Sequence, residues 1–341
     1  MTEREGLPPL FSPGDLIQGR YRITRLVGQG GMGEVYRAGD LAAERDVAVK
    51  IVLPELLGSG KARARFEREV RWTRSLDHRN IIRILDYFNI PPIPGRPTEQ
   101  AIPCVVMEFL DGESLADRLQ RASDPVLPED ALPIICQMAA ALSAAHKKGI
   151  VHRDLKPDNI FLVPQAGFPR VVLTDFGVAR KGAETAFGDQ ELSEESLTAS
   201  NIIVGTPEFM APELLELEDA IPASDIYSLG LIFYEMVTGH RPFDDERPLQ
   251  ALFKRVQYPA PSPREYVPEL DDRTVEVITE CLRRRPEDRY ERAEMVIEAL
   301  DGPDSPFLKN TTSWGREKAF TAAVGAGLVL LTALLVWFYA V

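Results

Sequence analysis

The sequence predicts an α+β fold in two lobes, a small β-rich lobe followed by a larger helical one, with a single apolar helix at the C-terminus. Three observations predict it. Short runs that alternate apolar and polar residues, as half-buried strands do, fill residues 19–110. Longer amphipathic runs take over after "DGESLADRL", and helices dominate from there to about Leu300. The last 23 residues, Ala319 to Val341, carry no charge.

Taken in order, "MTEREGLPPLFSPGDL" has no apolar run behind its charges, so it is no secretory signal, and residues 1–18 read as a tail. "YRITRLVGQGGMGEVYRAGD" reads as strand, loop, strand, and "RDVAVKIVL" as a third strand. "GKARARFEREVRWTRSL" is a helix with Phe66, Val70 and Thr73 on one face. Two further strands, in "IIRILDYFNI" and "CVVMEFL", flank a proline-rich surface loop, "PPIPGRPTEQAIP". "PEDALPIICQMAAALSAAHKKG" opens the second lobe as a long alanine-rich helix. One domain over 19–301 is expected, split into lobes 19–110 and 111–301, then a linker 302–318 and a transmembrane helix 319–341.

A helix of 23 residues spans about 34 Å, enough for a hydrocarbon core of about 30 Å. Arg316 and Lys318 precede it, and Trp337 and Tyr339 lie near its far end, as anchors on the two sides of a bilayer do. The expectation is a tail anchor in the cell membrane with the folded domain in the cytoplasm and no sensor module beyond the bilayer. A net charge of −13 argues against nucleic acid as a partner. Three cysteines, far apart and odd in number, imply buried thiols rather than zinc ligands or a disulfide framework.

Gly28, Gly30 and Gly33 form G-x-G-x-x-G between two strands. Glycine lets the backbone turn tightly and bring N–H groups against phosphate oxygens. The motif opens no helix here, and no acidic residue follows where a ribose would need one, which argues against a dinucleotide site. Lys50 ends "VAVK", seventeen residues past Gly33. "VHRDLKPDNI", residues 151–160, sets Asp154, Lys156 and Asn159 between aliphatic flanks; "DFG" starts at Asp175 and "APE" ends at Glu213. A lone loop aspartate is usually a solvated carboxylate. Asp154 grouped with a lysine, an amide and a second carboxylate is not such a residue.

The series "GQGGMGEV", "VAVK", "HRDLKPDN", "DFG", "APE" resembles the eukaryotic-type (Hanks-type) protein kinase family, over roughly residues 19–300. "PGDLIQGRYRI" and "SDIYSLGLIFYEMVTGHRPF" are most similar to its bacterial membrane-bound Ser/Thr branch. The resemblance implies the two-lobed protein kinase fold, ATP and Mg²⁺ as cofactors, and Ser/Thr residues of proteins as acceptors. Val27, Gly28, Gly30, Gly33, Val35 and Ala48 would then cover the nucleotide, with Phe161 beneath it. Met107 would limit the back of the pocket, and the hinge from Glu108 to Leu110 would read adenine through its backbone. Lys50 would hold the α- and β-phosphates, oriented by Glu69. Glu67 points about 160° away around the same helix, and Phe66 and Val70 favour Glu69's face.

By the same resemblance Asp154 accepts or orients the acceptor hydroxyl and Lys156 steadies the transferring phosphate, while Asn159 and Asp175 bind Mg²⁺. Glu213 pairs with Arg289, Asp225 anchors the catalytic loop, and His152 packs rather than reacts. Arg153 marks members switched on by loop phosphorylation, with Thr198 and Ser200 as the phosphosites, Arg65 as a second phosphate contact and Thr206 as a substrate contact. No lysine or arginine occurs from Gly182 through His240. Activation is read as autophosphorylation in trans, which makes a second copy a partner, beside protein substrates and the lipid bilayer. The competing reading is a catalytically silent pseudokinase scaffold at the membrane.

Overall fold

The computed structural model describes residues 8–30, 33–53, 60–93, 100–122, 124–176, 207–215, 219–244 and 254–309, without the side chains of 60–62, 65 and 207. Six strands build the first lobe: β1 (Leu16–Ile17), β2 (Tyr21–Gly30), β3 (Gly33–Asp40), β4 (Arg45–Val52), β5 (Ile84–Ile90) and β6 (Ile102–Glu108). They form one antiparallel sheet in the order β1-β2-β3-β4-β6-β5. Alternation in β3 is strict, with Glu34, Tyr36, Ala38 and Asp40 buried on one face. That face meets Val47, Val49 and Ile51 of β4 and closes a core with Ile23 and Val106.

Helix α1 (Gly60–Arg74) covers the other face of the sheet. Its residues Phe66, Val70 and Thr73 are buried, as their spacing predicts, and the first two pack on Val52 and Val105. In the second lobe, α2 (Leu115–Arg121) is followed by α3 (Pro128–His146), which packs against α5 (Pro222–Thr238) and α7 (Ala293–Asp301). Between them lie α4 (Pro212–Leu215) and α6 (Asp272–Cys281). Helices α3 and α5 are apolar nearly all round, and both run through the centre of the lobe. A small sheet, β7 (Glu113–Ser114), β8 (Ile160–Val163) and β9 (Arg170–Leu173), lies between the lobes' elements and carries the catalytic loop at its edge. Buried Asn80 ties this sheet to α3: its amide donates to the Val171 carbonyl at 2.6 Å and to Gln137 Oε1 at 2.9 Å.

Two boundaries differ from the sequence expectation. The tail expected over 1–18 contains β1, and Leu10 and Phe11 pack on the first lobe's core. The linker expected over 302–318 starts with α8 (Pro306–Lys309), which packs on α3 and α7. Among the described residues no helix is long and apolar enough to cross a membrane, and the span expected at 319–341 lies outside them. All three cysteines are buried thiols, and burial pushes Cys104 and Cys136 up to about 12.

Gly230 of α5 sits closely against α6, where an added Cβ would lie 2.6 Å from Cys281 Cβ and 3.1 Å from Leu282 Cδ2. Gly230→Ala is expected to destabilise the protein by about 1–3 kcal/mol through overpacking. Urea unfolding measures it, and an unchanged midpoint would contradict this packing.

Candidate active site

The catalytic loop is held by one carboxylate. Asp225, in the first turn of α5 and 1% exposed, accepts from the backbone N–H of His152 at 2.7 Å and of Arg153 at 3.0 Å. His146 Nε2, at the end of α3, lies 2.7 Å from the same carboxylate. These bonds hold Arg153 at φ +68, a left-handed conformation that costs a non-glycine residue about 1–3 kcal/mol. Burial alone would raise the Asp225 carboxyl; the His146 bond and charge outweigh it and keep the carboxyl below its usual range.

The loop's polar side chains then converge. The Asn159 side-chain amide donates to the Asp154 carbonyl at 2.8 Å and to Asp154 Oδ2 at 3.1 Å, while Lys156 Nζ lies 3.5 Å from Oδ2. The Asn159 carbonyl accepts from the Thr174 N–H at 2.9 Å, which ties the loop to the residue before Asp175. Asp175 has φ +55, and its Oδ1 accepts from Lys50 Nζ at 2.6 Å. Partial burial would raise the Asp175 carboxyl, but the Lys50 charge and hydrogen bond outweigh it and hold it low. His152 is wholly buried. It donates from Nε2 to the Thr174 carbonyl and lies tilted against Phe176, ring centroids 4.4 Å apart, and burial holds it neutral. It packs, as expected.

Glu69 departs from expectation. Its carboxylate is buried and lies 3.5 Å from the Arg153 guanidinium, whereas the ion pair of Lys50 is with Asp175. Helix α1 does turn Glu69 toward the cleft and sends Glu67 elsewhere, to Arg63 and the Tyr87 hydroxyl. The face was legible; the cationic partner was not, because Arg153 is set by a different lobe.

Register arranges the nucleotide-covering candidates. Val35 pairs with Lys50 and Ala48 with Met107, so Val35, Ala48, Lys50 and Met107 share one face of the sheet. Gly28 pairs with Val35 and Gly30 with Gly33, which sets the described glycines at the paired ends of β2 and β3; Val27 beside Gly28 is 46% exposed. An added Cβ at Gly33 would meet the Ile51 carbonyl oxygen at 1.9 Å, so only glycine fits there. Phe161 is half-buried on β8, across from Val172. In the hinge, the Glu108 N–H is committed to the Arg83 carbonyl and its carboxylate to Arg170, at 3.2 Å. Its N–H therefore does not serve adenine, and Leu110 follows half-buried.

Several structural residues escaped sequence reasoning. Buried Arg255 donates to the Glu208 and Met210 carbonyls at 2.6 and 2.7 Å, and Ser228 donates to the Phe209 carbonyl at 2.7 Å. Together they hold the strip that enters "APE". No local pattern marks them, since each bond spans 19 residues or more of chain. The expected Glu213–Arg289 pair is present and bidentate, at 2.9 and 2.8 Å. Thr198, Ser200 and Thr206, the "DFG" glycine and the Arg65 side chain lie outside the described residues.

Residues 21–299 match the protein kinase domain family. The chain belongs to the protein kinase family. The serine/threonine-protein kinase PrkC of Bacillus subtilis is 36% identical over 281 residues, covering 82% of this chain and 40% of PrkC. PknA of Mycobacterium tuberculosis is 35% identical over 318 residues, covering 92% of this chain and 68% of PknA. The kinase domain of Mycobacterium tuberculosis PknI superposes with a TM-score of 0.63 at 26% identity, over 85% of this chain and 98% of that one. This kinase domain thus comes with less than half the length of PrkC, and of the Myxococcus xanthus kinase pkn2 it spans 33%.

The buried pair gives a pH prediction. Burial would raise the Glu213 carboxyl, yet Arg289 and the Ser224 hydroxyl hold it below the usual range. A depressed folded value adds stability that is complete above the unfolded value of about 4 and is lost as pH falls through the folded one. Arg289→Met should cost about 3–5 kcal/mol at neutral pH by stranding the buried carboxylate. The cost should shrink as pH falls toward 4 and Glu213 takes a proton. Urea unfolding at several pH values measures it; a cost independent of pH would contradict the assignment.

Proposed function

We propose that the protein is a serine/threonine protein kinase that transfers the ATP γ-phosphate to Ser or Thr of proteins. The observation that carries this is the linked set Lys50–Asp175 and Lys156–Asp154–Asn159 on facing elements of one cleft. The names of its bacterial relatives support the Ser/Thr acceptor.

Mg²⁺ fits the residues present. The Asn159 amide nitrogen is committed to Asp154, and no donor among the described residues meets Asn159 Oδ1 or Asp175 Oδ2. Those are the hard oxygen ligands Mg²⁺ takes, and the ion would neutralise charge on the phosphates. Asp154, with Lys156 and Asn159 fixing its Oδ2, is placed to accept or orient the acceptor hydroxyl's proton. Lys156 steadies the transferring phosphate, and Lys50 the phosphates behind it. Val27, Gly28, Gly30, Gly33, Val35, Ala48 and Phe161 enclose ATP, with Met107 behind and the Glu108–Leu110 hinge at the adenine edge.

The same reading tethers the kinase to the cell membrane through 319–341 with its domain in the cytoplasm, and switches it by autophosphorylation in trans at Thr198 and Ser200. Arg153 supports the switch. Its guanidinium lies by Glu69, so a phosphate of about −1.5 to −2 charge brought to Arg153 would compete with that carboxylate and free it for Lys50.

With Mg-ATP and casein or myelin basic protein, the wild type is expected to transfer label, and Asp154→Asn and Lys50→Met to lose about 10²–10⁴-fold. Equal label in all three leaves only the scaffold reading. Phosphosite mapping of the active wild type is expected to find Thr198 or Ser200 modified; no modification between Thr185 and Ser200 would remove the switch.

A further inference from the structure

The segment before β1 does more than lead into the domain. Residues 8–13 run over the sheet face that the cleft does not use, with Leu10 and Phe11 against its core. Phe11 meets Tyr36 edge-on, ring centroids 6.0 Å apart. The polar contacts gather on one side chain. Glu34 follows the last glycine of the turn and is only 5% exposed. Its Oε2 accepts from the Leu10 N–H at 2.8 Å and from the Tyr36 hydroxyl, and its Oε1 from the Gln29 side-chain amide at 3.0 Å. The Phe11 N–H donates to the Tyr36 hydroxyl oxygen at 3.1 Å.

Glu34 therefore joins three pieces of chain: the N-terminal segment, β3, and the turn itself through Gln29, which sits between Gly28 and Gly30. The turn needs such a tie. Gly28 and Gly30 have no side chain to pack and open space where a Cβ would be, and a glycine-rich backbone has more conformational freedom to lose when it closes on a ligand than any other. A fixed anchor outside the sheet lowers that loss in advance.

We propose that Glu34 is a positioning residue for the nucleotide-binding turn, clamping its two described arms, residues 28–30 and 33–34, to the N-terminal segment so that they are set for ATP before ATP arrives. This rests on reading that turn as the phosphate-binding element. The clamp acts on nucleotide affinity and leaves the transfer step to Asp154 and Lys156, because Glu34 faces away from the cleft.

The test uses the full chain and ATP. Leu10→Pro deletes the N–H donor to Glu34, and Leu10→Ala is its control, losing the side chain but keeping the donor; Glu34→Ala removes the acceptor. Leu10→Pro is expected to raise both the KM and the directly titrated Kd for ATP about three- to tenfold over Leu10→Ala, the size one net hydrogen bond supplies, with kcat within about twofold. Glu34→Ala should do the same, and the double variant should be no worse, since both cut one network. Amide exchange at residues 28–34 should rise in Leu10→Pro without nucleotide. Unchanged exchange there would overturn the clamp, and so would ATP binding normally to all variants. A lower Tm and kcat with KM unchanged would overturn it too, reducing Glu34 to a structural role. A wild type that binds no ATP would overturn the reading of the turn, and the clamp with it.

Discussion

The loop of residues 151–159 depends on the buried carboxylate of Asp225. A carboxylate taken out of water must find donors, and here it accepts from two successive backbone N–H groups, of His152 and Arg153, beside the His146 ring. Accepting from both forces the loop into a turn that no helix or strand could supply. The left-handed φ of Arg153 follows, and the run to Asn159 is then set against β9. The rigidity comes from α5, whose apolar surround leaves Asp225 nowhere else to point. Asp154 is thus located by a residue 71 positions later in the chain.

Charge then connects the lobes. β4 reaches Asp175 through Lys50, and α1 reaches Arg153 through Glu69. Each ion pair joins an element of the first lobe to a loop of the second, so sliding one lobe over the other must break or exchange them. Both loops hold a residue at positive φ, Arg153 and Asp175, a conformation that is strained for a non-glycine residue. The strip from Glu208 to Glu213 is held differently. Arg255, Ser228 and Arg289 bond its carbonyls and its one buried carboxylate, fixing backbone rather than presenting side chains.

The first lobe shows the same economy on its outer side. The strict alternation of β3 sends Val35 toward the cleft and Glu34 and Tyr36 toward the core. A glutamate on a core face would be a misfit in isolation. It is satisfied by the Tyr36 hydroxyl, the Gln29 amide and the N–H of Leu10 where the chain before β1 returns across it, so the N-terminal segment and the glycine turn are parts of one hydrogen-bonded unit.

Local pattern was enough to determine β2 to β6 of the first lobe, though not β1, together with the buried face of α1 and the long helix α3, because period 2 and period 3.6 are written in neighbouring residues. The resemblance carried by the motifs pointed to Lys50, Asp154, Lys156, Asn159 and Asp175 as candidates and implied the Glu213–Arg289 and Asp225 contacts that the fold contains. Three things were left to the tertiary structure. It chose Asp175 over Glu69 as the partner of Lys50, gave Glu69 to Arg153, and brought residues 8–13 over Glu34. Each is a contact between segments that share no local period, decided by which buried charge lay nearest once the core had closed.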